Sequence, residues 1–185
     1  MAVVKISDIA DIQWWIYVRS RKWKDVALLN ANDFDEFWWL RWKPIPTLAS
    51  IDCPKQHLLQ DNDILLVTKW SRFFSALYRS TFWLSIASTA FIVLRVHTQL
   101  LIPEYFSLFM NEALQSAYFK NRIRGTSLPS LQKNDIADYR LSLPTLEKQH
   151  TIIALSHEYK KQTQIYHSLF EKKQTLMHSL ILSSS

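Results

Sequence analysis

The C-terminal segment, residues 146–182, contains neither glycine nor proline and carries a heptad pattern over about four repeats. Its pattern residues recur in alternating steps of three and four, the spacing that forms the contact line of a coiled coil. This line, called the seam below, consists of Ile152, Leu155, Tyr159, Gln162, Tyr166, Leu169, Lys173, Leu176 and Leu180. The pattern predicts one helix over residues 146–182, with a short tail at 183–185. Because such a helix is too long to pack wholly on a small domain, we expect it to pair with another helix. The polar seam residues Gln162 and Lys173 are of the kind that fix the register or the choice of partner in a coiled coil.

Glycine is almost absent, since Gly125 is the only one among 185 residues. A phosphate-binding P-loop needs two glycines and a dinucleotide-binding turn needs three, because backbone amides must approach the phosphates closely. Neither motif can be built from this sequence. We therefore expect no nucleotide cofactor on this chain, which also argues against a typical methyltransferase site.

The cysteine and histidine content and the length of the apolar runs argue against several other classes of protein. A single cysteine, Cys53, leaves no disulfide framework within the chain and no multi-cysteine zinc site, and it suits a reducing cytoplasm. The six histidines lack close ligand spacing, so we predict no metal site. The longest apolar run, residues 81–96, is 16 residues long and holds four hydroxyl side chains and an arginine, so it is too short and too polar to span a bilayer. The acidic residues of the first thirteen positions do not fit a secretory signal peptide.

Residues 1–145 predict one compact domain of the α/β (α+β) class around a twisted sheet, since 48% of the chain is hydrophobic and 14% is aromatic. The first twelve residues predict a strand and then a short helical turn. A polar turn at Asp61–Asp63 leads into a predicted strand, Ile64–Lys69, and residues 81–96 predict a buried pair of strands.

The spacing of apolar residues then changes to that of a helix. Pro103 and Glu104 are typical of a helix start, and apolar residues follow at spacings of three and four. Gly125 follows three basic residues and predicts the helix end, because glycine adopts the left-handed conformation without steric cost. Beyond it we predict two short strands around a turn, with Thr126 and Ser127 starting the first strand and the second ending at Pro144.

Two segments interleave aromatic and basic residues: residues 14–24 and residues 38–43. The net charge of +6 mildly favours an anionic partner, and such clusters suit nucleic acid, where cations neutralise phosphates and rings stack. The alternative is that the tryptophans are core residues and the cations extend past them into solvent. Sequence alone leaves both interpretations open for each residue.

Carboxylate and serine patterns give little support for catalysis. Asp138 with Glu158, Tyr159 and Lys160 superficially resembles a nuclease constellation, but Glu158 and Lys160 flank a seam residue, where charged side chains are routine. No serine lies in a strand–turn–helix nucleophile elbow. We therefore predict no catalytic residues.

Several short motifs, in chain order, resemble one family. They are "VKISDIADI", "LLQDNDILL", "STAFIVLRV", "IPEYFSLFM" and "RGTSLPSLQKNDIADYRLSLPTLEKQHTII". Together they resemble the specificity subunits of type I restriction–modification systems, whose recognition domains carry a "GDIL"-like strand, a "P-x-Y" helix, a "G-[ST]-x-[IL]-x-x-[IL]" strand and a closing "[IL]-x-[IL]-P-x-x-x-x-Q" that opens a long helix. The matching residues are Asn62-Asp63-Ile64-Leu65, Pro103-Glu104-Tyr105, Gly125-Thr126-Ser127-Leu128-Pro129-Ser130-Leu131, and Leu141-Ser142-Leu143-Pro144 with Gln149. The usual glycine after the opening segment is missing, and "NDIL" replaces "GDIL".

The resemblance implies a target recognition domain at residues 1–145 and a conserved spacer or dimerisation helix at 146–182. It implies a non-catalytic subunit that binds double-stranded DNA and docks modification (methyltransferase) subunits, with restriction subunits as a further candidate partner. S-adenosylmethionine would then be bound by the modification subunit. A complete specificity subunit resembles two such domains and two helices, so this chain is similar to one half. It would pair with a second copy, or with another specificity half, through antiparallel helices.

Charge and predicted loops select the residues expected to contact DNA. They are Arg19, Arg21, Lys22, Lys24, Arg41, Lys43, Lys69, Arg72, Arg79, Arg124, Thr126 and Ser127. Cations would hold phosphates, and loop side chains would read base edges in the major groove. A second hypothesis is a helix-mediated interaction protein, a truncated or orphan half-subunit that modulates complex assembly and binds no DNA. The seam supports both equally well.

Overall fold

The computed structural model describes residues 3–14, 24–38, 40–41, 43–69, 72–80 and 84–183. The chain divides into two compact units, Met1–Gln149 and His150–Ser185. The strands are β1 (Val3–Lys5), β2 (Ala10–Trp14), β3 (Val26–Leu29), β4 (Pro46–Leu48), β5 (Ile64–Val67), β6 (Ser75–Leu77), β7 (Leu84–Ala87), β8 (Phe91–Val96) and β9 (Arg140–Ser142). The α-helices are α1 (Pro103–Leu114), α2 (Ala117–Lys120), α3 (Lys133–Ala137) and α4 (Leu146–Ser183). The predicted class, an α+β domain followed by a long helix, is confirmed.

A four-stranded antiparallel sheet, in the order β2-β8-β5-β6, forms the centre of the first unit. All four residues of β5 are buried, as are the first four of β8, so both faces of the sheet are covered. Phe34, Phe74 and Phe91 pack together above it, with Phe34 ring centroids 5.7 and 5.9 Å from the other two. The β-branched and leucine-rich run at β5 is therefore a core strand, as its sequence predicts.

The second sheet has the order β4-β3-β7, and its central strand β3 pairs in parallel with β7. Residues 81–96 were predicted to hold a buried pair of strands. Their described part does form two strands, but β7 hydrogen-bonds to β3 whereas β8 lies between β2 and β5. The turn at residues 88–90 thus carries the chain from one sheet to the other.

Strand β6 is an edge of the four-stranded sheet, and helix α1 satisfies part of that edge. The Asn111 amide donates from Nδ2 to the Ser75 carbonyl and accepts from the Ser75 N–H, both at 2.8 Å. The Ser75 and Ser107 hydroxyls lie 3.1 Å apart beside this pair. This amide takes the place of one residue of a further strand. It thereby closes part of an edge that would otherwise be open to pairing with another chain.

A buried ion pair anchors the turn before β5. Asp63 is fully buried and accepts two hydrogen bonds from the Arg95 guanidinium, at 2.7 and 2.6 Å. Its carboxylate also accepts from the Gln60 N–H at 2.8 Å. The preceding residue, Asn62, has φ of 71°, a left-handed conformation that glycine adopts freely and asparagine tolerates better than other residues. The replacement of "GDIL" by "NDIL" therefore keeps the backbone shape.

Two substitutions at Asn62 test whether its left-handed backbone conformation matters for stability. We expect Asn62→Val to lower the free energy of unfolding by about 1–2 kcal/mol, because a β-branched residue is strained in the left-handed region. We expect Asn62→Gly to change it by less than about 1 kcal/mol, since glycine keeps the conformation and loses only an exposed contact with Arg79. Urea unfolding followed by circular dichroism measures both. Equal losses would mean that the side chain, rather than the backbone conformation, matters here.

The predicted helix from Pro103 to Gly125 is wrong at its C-terminal half. Helix α1 ends at Leu114, and the short α2 follows. Phe119, in α2, is fully buried, and both its ring and the Tyr118 ring lie 4.8 Å from that of Tyr139. Tertiary packing of these rings, which local sequence does not encode, redirects the chain.

Residues 125–144 also differ from the prediction of two short strands around a turn. Gly125 has φ of 90° but lies in a loop rather than at a helix end, and Thr126 and Ser127 are bends in that loop. Ser130 forms only isolated bridges, and the predicted turn contains α3. Only the second strand, β9, is present, and it pairs with β1.

Gln149 fixes the point at which the chain leaves the first unit. It is fully buried at the start of α4, and its Nε2 donates to the carbonyls of Leu100 at 2.8 Å and Pro144 at 3.0 Å. Its Oε1 accepts from the Ile102 N–H at 2.8 Å. These three hydrogen bonds of the amide thus all go to backbone groups of the first unit. The predicted helix 146–182 is confirmed in extent by α4, and no helix in the described ranges is long and apolar enough to cross a membrane.

Candidate nucleic-acid interface

One end of the four-stranded sheet gathers several of the predicted DNA-contacting residues. At this end β2 finishes at Trp14, which is paired with Ile92, and β5 finishes at Val67, which is paired with Phe91. The connection from β5 to β6 therefore emerges here, and it contains Lys69 and Arg72. We call the surface formed by Lys69, Arg72, Arg41, Arg124 and residues 125–128 the basic end.

Lys69 and Arg124 are brought together by the backbone of Ser130. Ser130 forms antiparallel bridges with both residues, and it exchanges backbone hydrogen bonds of 3.0 and 2.8 Å with Arg124. The next residue, Leu131, is buried and donates its N–H to the Thr68 carbonyl at 2.9 Å. Two cations that are far apart in sequence thus project from neighbouring backbone segments.

The loop at residues 125–128 depends on its glycine. A Cβ at position 125 would lie 2.6 Å from the Leu128 carbonyl oxygen, and the φ of 90° disfavours any side chain. Thr126 and Ser127 are exposed, and so is Leu128, at 45%. Two hydroxyls and an apolar side chain therefore stand in solvent beside the cations, which is the set of groups that contacts phosphates, base edges and thymine methyl groups.

Arg72 and Arg41 hold a second loop next to this surface. Arg72 donates to the Asp35 carbonyl at 2.6 Å, with its guanidinium 4.9 Å from the Phe74 ring centroid. Arg41 donates from Nε to the Phe34 carbonyl at 3.0 Å. Because each guanidinium has five N–H donors, these backbone contacts leave donors on both exposed residues for a phosphate.

The remaining predicted contacts are placed differently. Arg79 follows β6 at the opposite end of the sheet, where it forms ion pairs with Asp61 at 3.6 Å and Glu104 at 3.3 Å. Lys24 and Lys43 are exposed near the three-stranded sheet. Arg19, Arg21 and Lys22 lie outside the described residues.

Sequence reasoning missed Arg122, which lies beside the loop at residues 125–128 and shares an acidic partner with Arg124. Its guanidinium stacks 3.6 Å from the Tyr118 ring centroid and lies 4.0 Å from the Asp135 carboxylate, which also lies 3.6 Å from Arg124. Asp135 is buried and accepts from the Gln132 N–H at 3.0 Å, capping α3. One buried carboxylate thus orients two arginines, and the only sequence signal for it is the alternation of basic residues in "KNRIRG".

The acidic residues do not build a metal or nuclease centre among the residues that the structure describes. No group of three or more metal-ligating side chains occurs in those ranges. Asp138, the first member of the nuclease-like set, instead pairs with Lys5 at 2.9 Å across the β1–β9 pair. The groups that the basic end offers are cations, hydroxyls and backbone amides, which bind anions and hydrogen-bond acceptors.

Comparison with known proteins identifies the family. A family model described as the type I restriction modification DNA specificity domain matches residues 1–172. The chain belongs to this family. The resemblance inferred from the sequence motifs is therefore confirmed.

Solved structures show the same fold. The HsdS subunit from Thermoanaerobacter tengcongensis aligns with a TM-score of 0.62 at 19% identity, over 94% of this chain and 45% of that one. A chain from a structure on complex assembly and conformational transition of the type I R-M system aligns at 0.61 with 16% identity, over 89% and 39%. The type I restriction-modification S subunit from M. genitalium aligns at 0.55 with 12% identity, over 92% and 41%. No curated protein sequence matches the chain. The chain thus spans less than half the length of each of these three proteins.

The seam of α4 is open along most of its length. Among its residues, Tyr159 and Tyr166 are each 70% exposed, Leu155 is 65% exposed and Leu169 is 45% exposed. Ile152, near the start of the second unit, is only partly exposed. In the described chain, therefore, an apolar line lies in solvent along this helix, as the heptad pattern predicts for a helix that pairs with another chain.

Proposed function

We propose that this chain is a non-catalytic DNA-recognition subunit of a type I restriction–modification system, which binds double-stranded DNA through the basic end. The observation that carries the proposal is that Ser130 brings Lys69 and Arg124 together beside an exposed, glycine-dependent loop, with Arg72 on the same connection as Lys69. Cations there would neutralise phosphates, while Thr126 and Ser127 would approach base edges. Membership of a DNA-specificity family supports this role.

The same proposal gives α4 a role in pairing and places the methyltransferase chemistry on partner subunits. Two copies would pair through α4, giving two recognition domains for a two-part DNA site, which is consistent with relatives of about twice this length. Modification subunits would dock on this assembly and carry S-adenosylmethionine, and restriction subunits are a further candidate partner. The structural study of a related system that concerns complex assembly supports the existence of such partners there.

Salt dependence of DNA binding tests the recognition role. With a random duplex of about 30 base pairs, the logarithm of the association constant should fall linearly with the logarithm of salt concentration, because each neutralised phosphate releases counterions. The double variant Lys69→Ala/Arg124→Ala should reduce that slope by about two, at roughly 0.9 for each lost phosphate contact. Fluorescence anisotropy between low and moderate salt measures the slopes.

The matched control removes a cation elsewhere. Lys55, exposed on a short 3₁₀ turn, is outside the basic end, and Lys55→Ala should leave the slope unchanged. If the intact protein bound the duplex weakly at low salt and with no salt slope, the recognition role would be wrong. A loss of slope in Lys55→Ala equal to that of the double variant would instead move the interface away from the basic end.

The exposed seam also favours a second candidate, a helix-mediated interaction module that binds a protein and no DNA. Such a half-subunit would modulate the assembly of a larger complex. The salt experiment separates the two candidates, because an apolar helix contact releases few counterions. Retained helix pairing without salt-dependent DNA binding would identify this second function.

A further inference from the structure

The seam of α4 carries two polar residues in an otherwise apolar or aromatic line, and their positions restrict how two copies can pair. Gln162 and Lys173 are eleven residues apart, and both are exposed. A polar seam residue weakens a coiled coil unless its opposite number is also polar, so such residues select one alignment over others. The question is which alignment of two identical helices lets Gln162 and Lys173 face polar groups.

Parallel pairing in register sets each seam residue against its own copy. Lys173 would then face the partner's Lys173, and two like charges would be held in one layer. Gln162 would face the partner's Gln162 three layers, or eleven residues, away. This alignment therefore costs one repulsive layer and gives the lysine no acceptor.

Antiparallel pairing changes the opposite numbers. Along the seam the steps alternate between three and four residues. Two antiparallel copies therefore stay in step only where a residue that precedes a three-residue step in one chain faces a residue that follows a three-residue step in the other. The allowed alignments differ from one another by whole heptads. Each is defined by the sum of the two facing residue numbers, and that sum is constant along the pair.

One of these alignments brings the polar residues together. Resting on the proposed role as a half-subunit whose copies pair through antiparallel α4 helices, we infer the register of that pair, which sets Gln162 opposite the partner's Lys173. Every other layer is then apolar or aromatic. The facing pairs are Leu155 with the partner's Leu180, Tyr159 with the partner's Leu176, and Tyr166 with the partner's Leu169, each occurring twice by symmetry.

The neighbouring alignments fit less well. Moving one heptad toward the N-terminus sets Lys173 against the partner's Leu155 and Gln162 against the partner's Tyr166. Moving one heptad the other way sets Lys173 against the partner's Leu169 and Gln162 against the partner's Leu180, and it leaves Leu155 and Tyr159 without opposite seam residues. The inferred register alone pairs polar with polar while using all seam positions except Ile152, which is already partly covered.

The Gln162–Lys173 layer has suitable chemistry. The lysine ammonium has three donors and no acceptor, and the glutamine Oε1 can accept one of them. The other donors reach solvent, because a long lysine side chain keeps its charge at the edge of an apolar seam. Two such layers, related by the twofold axis, would fix register and orientation together.

Disulfide cross-linking between differently tagged chains tests the register. In a Cys53→Ala background, one chain carries Leu155→Cys and a longer, tagged chain carries Leu180→Cys. Mild oxidation of the mixture should give a mixed-size disulfide dimer as the main product, because a disulfide needs Cβ atoms about 3.5–4.5 Å apart. The competing register is probed by Ile152→Cys with Leu176→Cys, which should cross-link at least about tenfold less.

Other products would overturn the inference. Preferential linkage between two Leu155→Cys chains would show parallel pairing. Preferential linkage of Ile152→Cys with Leu176→Cys would show the shifted register. A monomeric mass for the intact chain, with no cross-link in any mixture, would remove homodimeric pairing altogether.

A charge substitution gives an independent readout. Gln162→Glu places a carboxylate opposite the partner's Lys173 and should tighten the dimer about three- to tenfold at low salt. In a parallel pair the same change would set two carboxylates face to face and weaken it. The matched control is Gln164→Glu, the same change two residues along and outside the seam, which should have little effect on the dimer dissociation constant. No effect or a weakening in Gln162→Glu relative to this control contradicts the inferred register.

The outcomes separate this inference from the proposed function. Cross-links in the inferred register without salt-dependent DNA binding would leave the helix pairing intact and remove the recognition role. Salt-dependent DNA binding with another register, or with a monomer, would do the reverse.

Discussion

Arg95→Leu is expected to lower the free energy of unfolding by about 3–5 kcal/mol, because it leaves the Asp63 carboxylate buried without its counter-ion. Asp63 is fully buried, whereas the Arg95 side chain is 22% exposed. The hydrogen bonds to Asp63 are the main reason that the pKa of Arg95 is raised, and the charges of Asp63 and Asp11 add to them against the opposing effect of burial. Arg95 therefore keeps its charge at neutral pH, and the loss should appear there in urea unfolding.

Two comparisons isolate the buried charge as the cause. Arg79→Leu removes an exposed arginine that also contacts two carboxylates, and it should cost less than about 1 kcal/mol. Asp63→Asn/Arg95→Leu keeps an acceptor for the Gln60 N–H but removes both charges, so it should be more stable than Arg95→Leu alone. A cost near that of Arg79→Leu for the single Arg95 variant would mean that Asp63 is solvated or protonated without its partner.

Leu169→Asp is expected to convert a dimer into a monomer. In the inferred pairing Leu169 faces the partner's Tyr166, so the substitution removes apolar burial and places two carboxylates in central layers. We expect the dimer dissociation constant to rise by about 100-fold or more, which corresponds to roughly 3 kcal/mol. Light scattering should give about twice 21.9 kDa for the intact chain and about half of that value for the variant.

The control for this variant is Ser168→Asp, which introduces the same charge one residue away from the seam and should leave the mass unchanged. Loss of the dimer in both variants would point to a general charge effect on the helix. An intact chain that is monomeric at all concentrations would exclude homodimeric pairing. The seam would then be expected to bind a different chain, such as another specificity half or a modification subunit.

The parts of this fold that sequence predicts well are those encoded by local periodicity. Helix α4 and its seam follow from a heptad pattern without glycine or proline, and β5 follows from an apolar run after a polar turn. The sheets are different, because β3 pairs in parallel with β7 across about sixty residues, and no local signal assigns β7 and β8 to separate sheets. The break after Leu114 likewise depends on Phe119 meeting Tyr139 in three dimensions.

The same limit applies to the candidate interface. Charge marks Arg79, Arg95 and Arg124 equally. Arg79 pairs with carboxylates near the surface, Arg95 pairs with the fully buried Asp63, and Arg124 stays exposed beside a loop although the buried Asp135 lies near it. Their acidic partners are eleven to thirty-two residues away along the chain, so the sequence cannot distinguish surface cations from structural ones. Family motifs locate the loop at Gly125, but only the fold brings Lys69 to it through Ser130.

The hydrogen bonds of Gln149 bear on how such domains can diversify. The groups that its amide contacts at Leu100, Ile102 and Pro144 are all main-chain atoms, so the junction does not depend on which side chains occupy those positions. In the proposed role, substitutions in the DNA-contacting loops leave these main-chain contacts in place. We therefore expect that a recognition domain that ends in this way can be exchanged for another of different specificity while the helix that follows, and whatever pairs with it, remains the same.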